Sequence, residues 1–148
     1  MNRDNLHSSQ SVLAGTMTLS GTTANSSDWV DTRGFDAARL AVITGSVSDA
    51  GAAAGFSFVM QESDTTANAD ATTVAADDIL GSLADLTVTA DGDDNKLIGA
   101  VGYVGGSRYV RLTATGTTGT DAVVNVLGTL DYPSRAATTF VGTGVSAT

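Results

Sequence analysis

The side chains that could carry chemistry are few in this chain of 148 residues, which has one histidine, His7, one lysine, Lys96, and no cysteine. Thiol nucleophiles and thiolate metal sites require cysteine, so the composition excludes both. A serine hydrolase needs a histidine beside its nucleophile, but His7 lies in a polar stretch and no G-x-S-x-G segment occurs. The residue types therefore indicate a binding protein and not an enzyme, with no cofactor.

Two pairs of adjacent carboxylates remain as candidates for acid–base chemistry, Asp77–Asp78 and Asp93–Asp94. A glycosidase places two carboxylates on either side of the bond that it cleaves. Adjacent residues of a strand point to opposite faces, however, and the chain has few aromatic residues with which to line a sugar cleft. We interpret both pairs as acids of solvated turns.

The segment D-G-D-D-N, which begins at Asp91, contains closely spaced oxygen ligands of the kind that Ca²⁺ prefers. The candidate ligands are Asp91, Asp93 and Asn95. The EF-hand pattern fails because Lys96 stands where that loop requires glycine. A plain turn is therefore favoured over a calcium site.

The net charge of −9 argues against nucleic acid as a partner, because binding to a phosphate backbone requires an excess of lysine and arginine. The first residues, MNRDNLHSSQ, lack the apolar core of a signal peptide. No later run approaches the roughly 18 apolar residues that span a bilayer. We expect a protein that is made in the cytosol and that binds neither nucleic acid nor membrane.

Apolar residues alternate with polar ones in short segments that glycine and threonine separate, which is the pattern of half-buried β-strands. A last strand covers residues 122–130 and stops near Pro133, because proline cannot donate to a ladder. In the segment R-Y-V-R-L-T-A, which begins at Arg108, the side chains of Tyr109, Arg111 and Thr113 are predicted to face outward. The side chains predicted to face the core are Leu13, Met17, Leu19, Leu40, Val42, Phe56, Phe58, Met60, Leu86, Val88, Ala90, Leu97, Val101, Tyr103, Val110, Leu112 and Ala114.

The middle of the chain is less regular. Residues 62–76 are acidic and rich in threonine, which predicts a surface excursion with at most a short strand near residues 72–74. The spacing of apolar residues predicts one helical turn over residues 77–83 and a strand over residues 86–90. Asp-Gly at position 91 predicts a tight connection after that strand.

Seven to nine short strands, without helical crossovers long enough for parallel pairing, predict an all-β fold. The expected architecture is an antiparallel β-sandwich or jelly roll with extended terminal arms. We divide the chain into a flexible N-terminal arm of residues 1–10, a sandwich domain of residues 11–132 and a C-terminal tail of residues 133–148.

The order of segments resembles a class of viral structural proteins. The pieces that carry the likeness are D-T-R-G-F at residues 31–35, Q-E-S-D at residues 61–64 and R-Y-V-R at residues 108–111, within a match over residues 29–130. They are similar to small β-sandwich proteins that decorate or cement the heads of tailed bacteriophages. These motifs are structural, so the resemblance implies no catalytic residues.

The resemblance implies an accessory capsid protein on the outside of a virion assembled in the host cytoplasm. Its partners would be the major capsid protein and further copies of the same chain, as a dimer or trimer, with the terminal segments reaching onto the shell. The residues that we assign to those contacts are Arg3, Leu6, Trp29, Arg33, Phe140 and Val141.

Two other functions remain open at this point. The same fold could serve in a tail, fibre or spike of the virion. It could also be a carbohydrate-binding module, although such a module uses a strip of exposed aromatic rings and the chain has one tryptophan and three tyrosines.

Overall fold

The computed structural model describes residues 9–133, and within them it contains ten β-strands, three short 3-10 turns and no α-helix. The strands are β1 (Ser9–Ser20), β2 (Asn25–Ser26), β3 (Val30–Asp31), β4 (Phe35–Asp49), β5 (Ser57–Ser63), β6 (Thr72–Thr73), β7 (Ile79–Leu80), β8 (Leu97–Tyr103), β9 (Tyr109–Thr115) and β10 (Asp121–Pro133). The 3-10 turns cover Asn68–Asp70, Ala76–Asp78 and Leu83–Leu86. The predicted all-β class is confirmed, although β1, β4 and β10 are long, with 12, 15 and 13 residues.

The strands form two antiparallel sheets of five strands each. One, the β10 sheet, has the order β1-β10-β4-β8-β7. The other, the β9 sheet, has the order β2-β9-β5-β6, and β3 pairs with β9 on the same side as β2. Their inner faces enclose one hydrophobic core, so the predicted antiparallel sandwich is confirmed.

Alternation along β5 and β9 builds the core as predicted. Phe56, Phe58 and Met60 are all buried, and the rings of the two phenylalanines meet edge to face with centroids 6.1 Å apart. On the facing sheet, Leu40 and Val42 are completely buried. This regularity follows from the period of two, which sends every second side chain of a strand to the same face.

The prediction that Leu13 faces the core is wrong. Its side chain is 57% exposed, and Ala14 is buried in its place. The pairing of β1 with β10 shifts register between Leu13 and Thr16, and Gly15 adopts a φ of +86° at that point. A bulge inserts an extra residue and therefore inverts the alternation on one side of it.

The prediction that Leu97 faces the core is wrong for the same reason, since its side chain is 68% exposed. The pairing of β4 with β8 shifts between Val42, opposite Gly99, and Ile43, opposite Leu97. The extra residue, Ile98, turns Leu97 to the outer face. Val101 and Tyr103, which follow the bulge, are buried as predicted.

The segment from residue 77 to residue 90 also departs from its prediction. The helical turn predicted over residues 77–83 is limited to the 3-10 turn Ala76–Asp78, because Ile79 is extended, with a φ of −108° and a ψ of 124°, and the chain makes the short strand β7 instead. The strand expected over residues 86–90 is reduced to one bridge, in which Val88 and Phe56 exchange two backbone hydrogen bonds. Ala90, predicted to face the core, is exposed.

The first and the last described residues of the chain lie side by side. Ser9 pairs with Asp131, so the first described residues of β1 run beside the last residues of β10. Ser9 and Gln10 therefore belong to the sandwich, and so does Pro133, which pairs with Phe35. The rest of the predicted arm and tail, residues 1–8 and 134–148, lies outside the described residues.

A polar contact joins the two sheets at one end of the core. The hydroxyl of Tyr103 on β8 donates to Glu62 Oε2 on β5 at 2.5 Å, and the Ser107 amide donates to that hydroxyl at 2.9 Å. Burial, followed by the hydrogen bond to Glu62, raises the pKa of the Tyr103 phenol well above its usual range. The folded state therefore holds this phenol in its neutral form.

We expect Tyr103→Phe to change how stability depends on alkaline pH. Because the pKa of Tyr103 is raised by folding, its contribution is complete below the unfolded value of about 10 and is lost as pH rises above it. The variant should be about 1 to 3 kcal/mol less stable at pH 7, because it leaves the half-buried Glu62 and Ser107 without this hydrogen-bond partner. Between pH 9 and 11 it should lose less stability than the wild type in urea unfolding. Parallel pH profiles would contradict this assignment.

Candidate functional site

The three sequence motifs that carry the resemblance meet on the β9 sheet. Arg108 binds Asp31 through two contacts, from Nη2 to Oδ2 at 2.7 Å and from Nε to Oδ1 at 3.1 Å. Its backbone amide donates to Asp64 Oδ1 at 3.2 Å. Arg111 Nε donates to Gln61 Oε1 at 3.0 Å. The motifs are therefore neighbours in space although they are far apart in sequence.

The D-T-R-G-F motif forms the turn that leads from β3 in one sheet to β4 in the other. The Arg33 amide donates to Asp31 Oδ1 at 3.0 Å, and the Phe35 amide donates to the Thr32 carbonyl at 3.0 Å. Gly34 provides the φ of +91° that this turn requires. The hydrogen bond from Arg108 holds the pKa of Asp31 below its usual range. The predicted contact residue Arg33 lies exposed on this turn.

Arg111 has an unusual environment for a residue on an outer face. Its side chain points outward as predicted, but only 8% of its surface is exposed. The guanidinium lies over the Trp29 ring, 4.2 Å from the centroid, and Nη1 donates to Asn68 Oδ1 at 2.6 Å. Burial lowers the pKa of Arg111 from its ordinary value. Within residues 9–133, no carboxylate forms an ion pair with it.

A directed chain of hydrogen bonds supports this arginine. Arginine has no acceptor, so Gln61 must present its Oε1 to Arg111. The same oxygen accepts from the Thr113 hydroxyl at 2.8 Å. Thr113 has one hydroxyl hydrogen, so the bond of 2.8 Å between Thr113 and Ser26 is donated by Ser26. Neutral groups alone therefore solvate the cation on this side.

Trp29 and Arg111 line an open polar groove of about 510 Å³ beside β2. The remaining lining residues are Ala24, Asn25, Ser26, Ser27, Asp28 and Asn68. Arg111 Nη2 donates no hydrogen bond to any residue of the described part of the chain. No buried side-chain nitrogen in that part lacks a partner, so Nη2 contacts solvent. The groove thus contains an accessible edge of a guanidinium.

Trp29, a predicted contact residue, is half-buried on the outer face of the β9 sheet. Its Nε1 donates to the Thr66 carbonyl at 3.1 Å. Trp29 is therefore not part of the hydrophobic core. A second arginine packs on an aromatic ring, since the Arg108 guanidinium lies 4.7 Å from the centroid of the Tyr109 ring. Arg39 points outward from the other sheet, so the arginines do not form a single cluster.

Of the acids weighed for calcium binding and glycoside hydrolysis, those that follow Val88 have structural partners, whereas Asp77 and Asp78 lie in the 3-10 turn Ala76–Asp78. Asp91 and Asp94 each accept a hydrogen bond from a backbone amide of residues 47–50 at the end of β4. Asp93 forms an ion pair with Lys96. In residues 9–133, no group of three or more histidine or acidic side chains is arranged to hold a metal ion. These carboxylates thus fasten the turn between Val88 and β8.

The other candidate ligand, Asn95, has a left-handed φ of 53°, and its amide donates to the Gly45 carbonyl at 2.9 Å. Four predicted contact residues, Arg3, Leu6, Phe140 and Val141, lie outside the described residues, and so does His7. Across residues 9–133, no helix has the length and apolar character needed to cross a membrane.

Sequence reasoning missed the surroundings of Arg111. Gln61 faces it only because β5 pairs with β9 in the register that sets these two residues opposite each other. Asn68 comes from the 3-10 turn in the surface excursion. Period-two alternation predicted that Arg111 and Gln61 point outward, but it contained no information on which residues are cross-strand neighbours.

Comparison with known proteins gives no relative: no family model, no curated protein and no solved structure matches this chain.

Proposed function

We propose that this chain is a structural protein of a bacteriophage virion, which binds the assembled capsid from outside and stabilises it. The observation that carries the proposal is the pairing of Ser9 with Asp131. Because of it, the described sandwich begins and ends at neighbouring positions, so residues 1–8 and residues 134–148 are joined to it at the same end. Two segments that start together can engage the same neighbouring subunit, which suits a clamp on a shell of major capsid protein.

Such a protein acts by mass action. If it binds the assembled shell and not the free capsid subunit, it stabilises the shell by RT ln(1 + [L]/Kd). That amounts to about 2.7 kcal/mol per site at roughly a hundredfold excess over Kd. Repetition over the lattice multiplies the effect. The interface required is of ordinary size, about 1,200–2,000 Å² in total.

An apolar row on the outer face of the β10 sheet supports self-association of the chain. Leu13 pairs with Leu127, Leu127 with Ala41, and Ala41 with Ala100, so the row crosses four strands. The five strands of this sheet range from two to 15 residues. With an average of about ten residues and a spacing of about 4.8 Å, the whole outer face covers about 800 Å², which is the area that one partner contributes to a standard interface. We therefore include a homo-oligomer, a dimer or trimer, in the proposal.

The test is addition of the full chain to assembled, expanded heads that lack it. We expect saturable co-sedimentation with the heads, a fixed number of copies per capsid subunit, and a higher temperature of head rupture. Unassembled capsid protein is the control and should bind far more weakly. Absence of binding to heads at micromolar concentration would refute the proposal.

A second measurement distinguishes the head from the rest of the virion. Mass spectrometry of separated heads and tails should find this chain in the head fraction. Its presence in tails alone would favour the tail, fibre or spike alternative. Phe140 lies outside the described residues, and Phe140→Asp should lower the occupancy of heads without altering the unfolding of the sandwich.

A further inference from the structure

We propose that the groove beside Arg111 receives a carboxylate from a partner protein, as the side chain of an aspartate or glutamate. That the ligand belongs to a protein rests on the proposed function; that it is a carboxylate rests on the groove alone. The juxtaposition that points to it is a nine-tenths-buried arginine, without a counter-charge in residues 9–133, whose Nη2 opens into a groove.

Arg111 carries a positive charge that is largely removed from water. Removing a cation from water is costly unless an anion and further hydrogen bonds compensate for it. Here the compensation within residues 9–133 comes from the Trp29 ring and from the amide oxygens of Gln61 and Asn68, all of which are neutral. A carboxylate that accepts from Nη2 would supply the missing charge. It would also make a charge-assisted hydrogen bond, which is stronger than a neutral one.

A second donor lines the same groove. Asn68 must turn its Oδ1 toward Arg111, since an arginine cannot accept. Its Nδ2 is therefore not used by Arg111 and donates no hydrogen bond within residues 9–133, and Asn68 lines the groove. An amide NH₂ beside a guanidinium presents donors to an incoming anion, and a carboxylate has two oxygens with which to accept them.

Asp28 is the acid that lines the groove, and it limits what the groove accepts. Its carboxylate does not reach Arg111 within ion-pair distance. It lies against Gly15, where an added Cβ would be 2.8 Å from Oδ2. A bound anion would feel repulsion from Asp28, which disfavours multiply charged ligands such as phosphate and favours a single carboxylate.

Trp29 argues for a protein ligand over an acidic sugar. A sugar-binding site usually offers an open aromatic face, but the Trp29 ring is half-buried and one of its faces is covered by the guanidinium. Its Nε1 is bound to the Thr66 carbonyl. What remains accessible is polar, so the groove recognises a charge rather than a ring.

The only tryptophan of the chain stands in this groove, so its fluorescence reports on occupancy directly. The probes are the capped tripeptide acetyl-Gly-Glu-Gly-amide and the matched glutamine peptide, at equal ionic strength. We expect a saturable change with the glutamate peptide and at least about tenfold weaker binding of the glutamine peptide. An equal response to both peptides would overturn the proposal.

Two variants separate binding from structure. Gln61→Glu is isosteric and gives Arg111 a carboxylate partner from the chain itself. It should therefore weaken binding of the glutamate peptide about tenfold while the fold persists. Asp28→Asn should strengthen binding about twofold to fivefold, because it removes repulsion. An arginine with a merely structural role would give neither change, and unchanged affinity in both variants would sink the proposal.

Binding of other anions and binding to heads identify the source of the carboxylate. Glucuronate or phosphate binding more tightly than the glutamate peptide would overturn the assignment to a protein ligand. Co-sedimentation of Gln61→Glu with heads should then fall below that of the wild type. If the wild type binds the glutamate peptide but not heads, the proposed function fails and the groove stands. If it binds heads and the variant binds equally well, the groove assignment fails and the proposed function stands.

Discussion

Replacement of Gly55 by alanine should destabilise the sandwich by about 4 kcal/mol or more, which is a large part of the roughly 5–15 kcal/mol that stabilises a typical domain. A Cβ at this position would lie 1.9 Å from the Val88 carbonyl oxygen and 2.9 Å from the Thr89 Cα. Both are backbone atoms, so no side-chain movement relieves the contact. The next residue, Phe56, forms the bridge to Val88, and separating the two backbones would break it.

Gly92→Ala is the matched control for that variant. Gly92 has a φ of +74° and Gly55 one of +63°, so alanine is strained at both positions. Only Gly92 has open space around the added Cβ, with no atom within 4 Å. We expect Gly92→Ala to cost about 1 kcal/mol. Urea unfolding of both variants measures the difference, and equal losses would show that the contact with Val88 is unimportant.

Replacement of Leu40 by alanine should cost about 2 to 5 kcal/mol, because its side chain is completely buried between the sheets. The loss combines the transfer energy of the removed carbons with the cavity that they leave. Thermal or urea unfolding measures it. A value below about 1 kcal/mol would mean that neighbouring side chains collapse into the space.

Leu97→Ala in the adjacent strand provides the comparison. The residue type and the sheet are the same, but Leu97 is 68% exposed. We expect its removal to change the free energy of unfolding by less than about 0.5 kcal/mol. A loss as large as that of Leu40→Ala would indicate that Leu97 faces the core, as alternation alone had predicted.

The contrast between these two leucines marks what the sequence could and could not predict. Leu40 lies in a stretch of uninterrupted pairing, where a period of two is sufficient to assign the face. Leu97 and Leu13 precede bulges, and a single extra residue inverts the face. Gly15 beside one bulge was a usable signal, since glycine inside a strand often marks one.

In the candidate site too, local alternation predicted some features and tertiary contacts decided the others. The outward direction of Arg111 was predicted from its neighbours Val110 and Leu112, which depend on local alternation. Its burial was not predicted, because it depends on cross-strand register with Gln61 and on a loop residue, Asn68. Contacts of this kind depend on tertiary structure and have no local sequence pattern.

The position of β10 between β1 and β4 sets the order in which the molecule can fold. β1 pairs with β10, about 100 residues later in the chain, so at about 5–20 residues per second β1 waits on the order of ten seconds for its neighbour. During that interval Met17 and Leu19, which are buried in the native state, have no sheet to cover them. The sandwich is therefore completed only after β10 has emerged, at the slow rate of nonlocal β topologies.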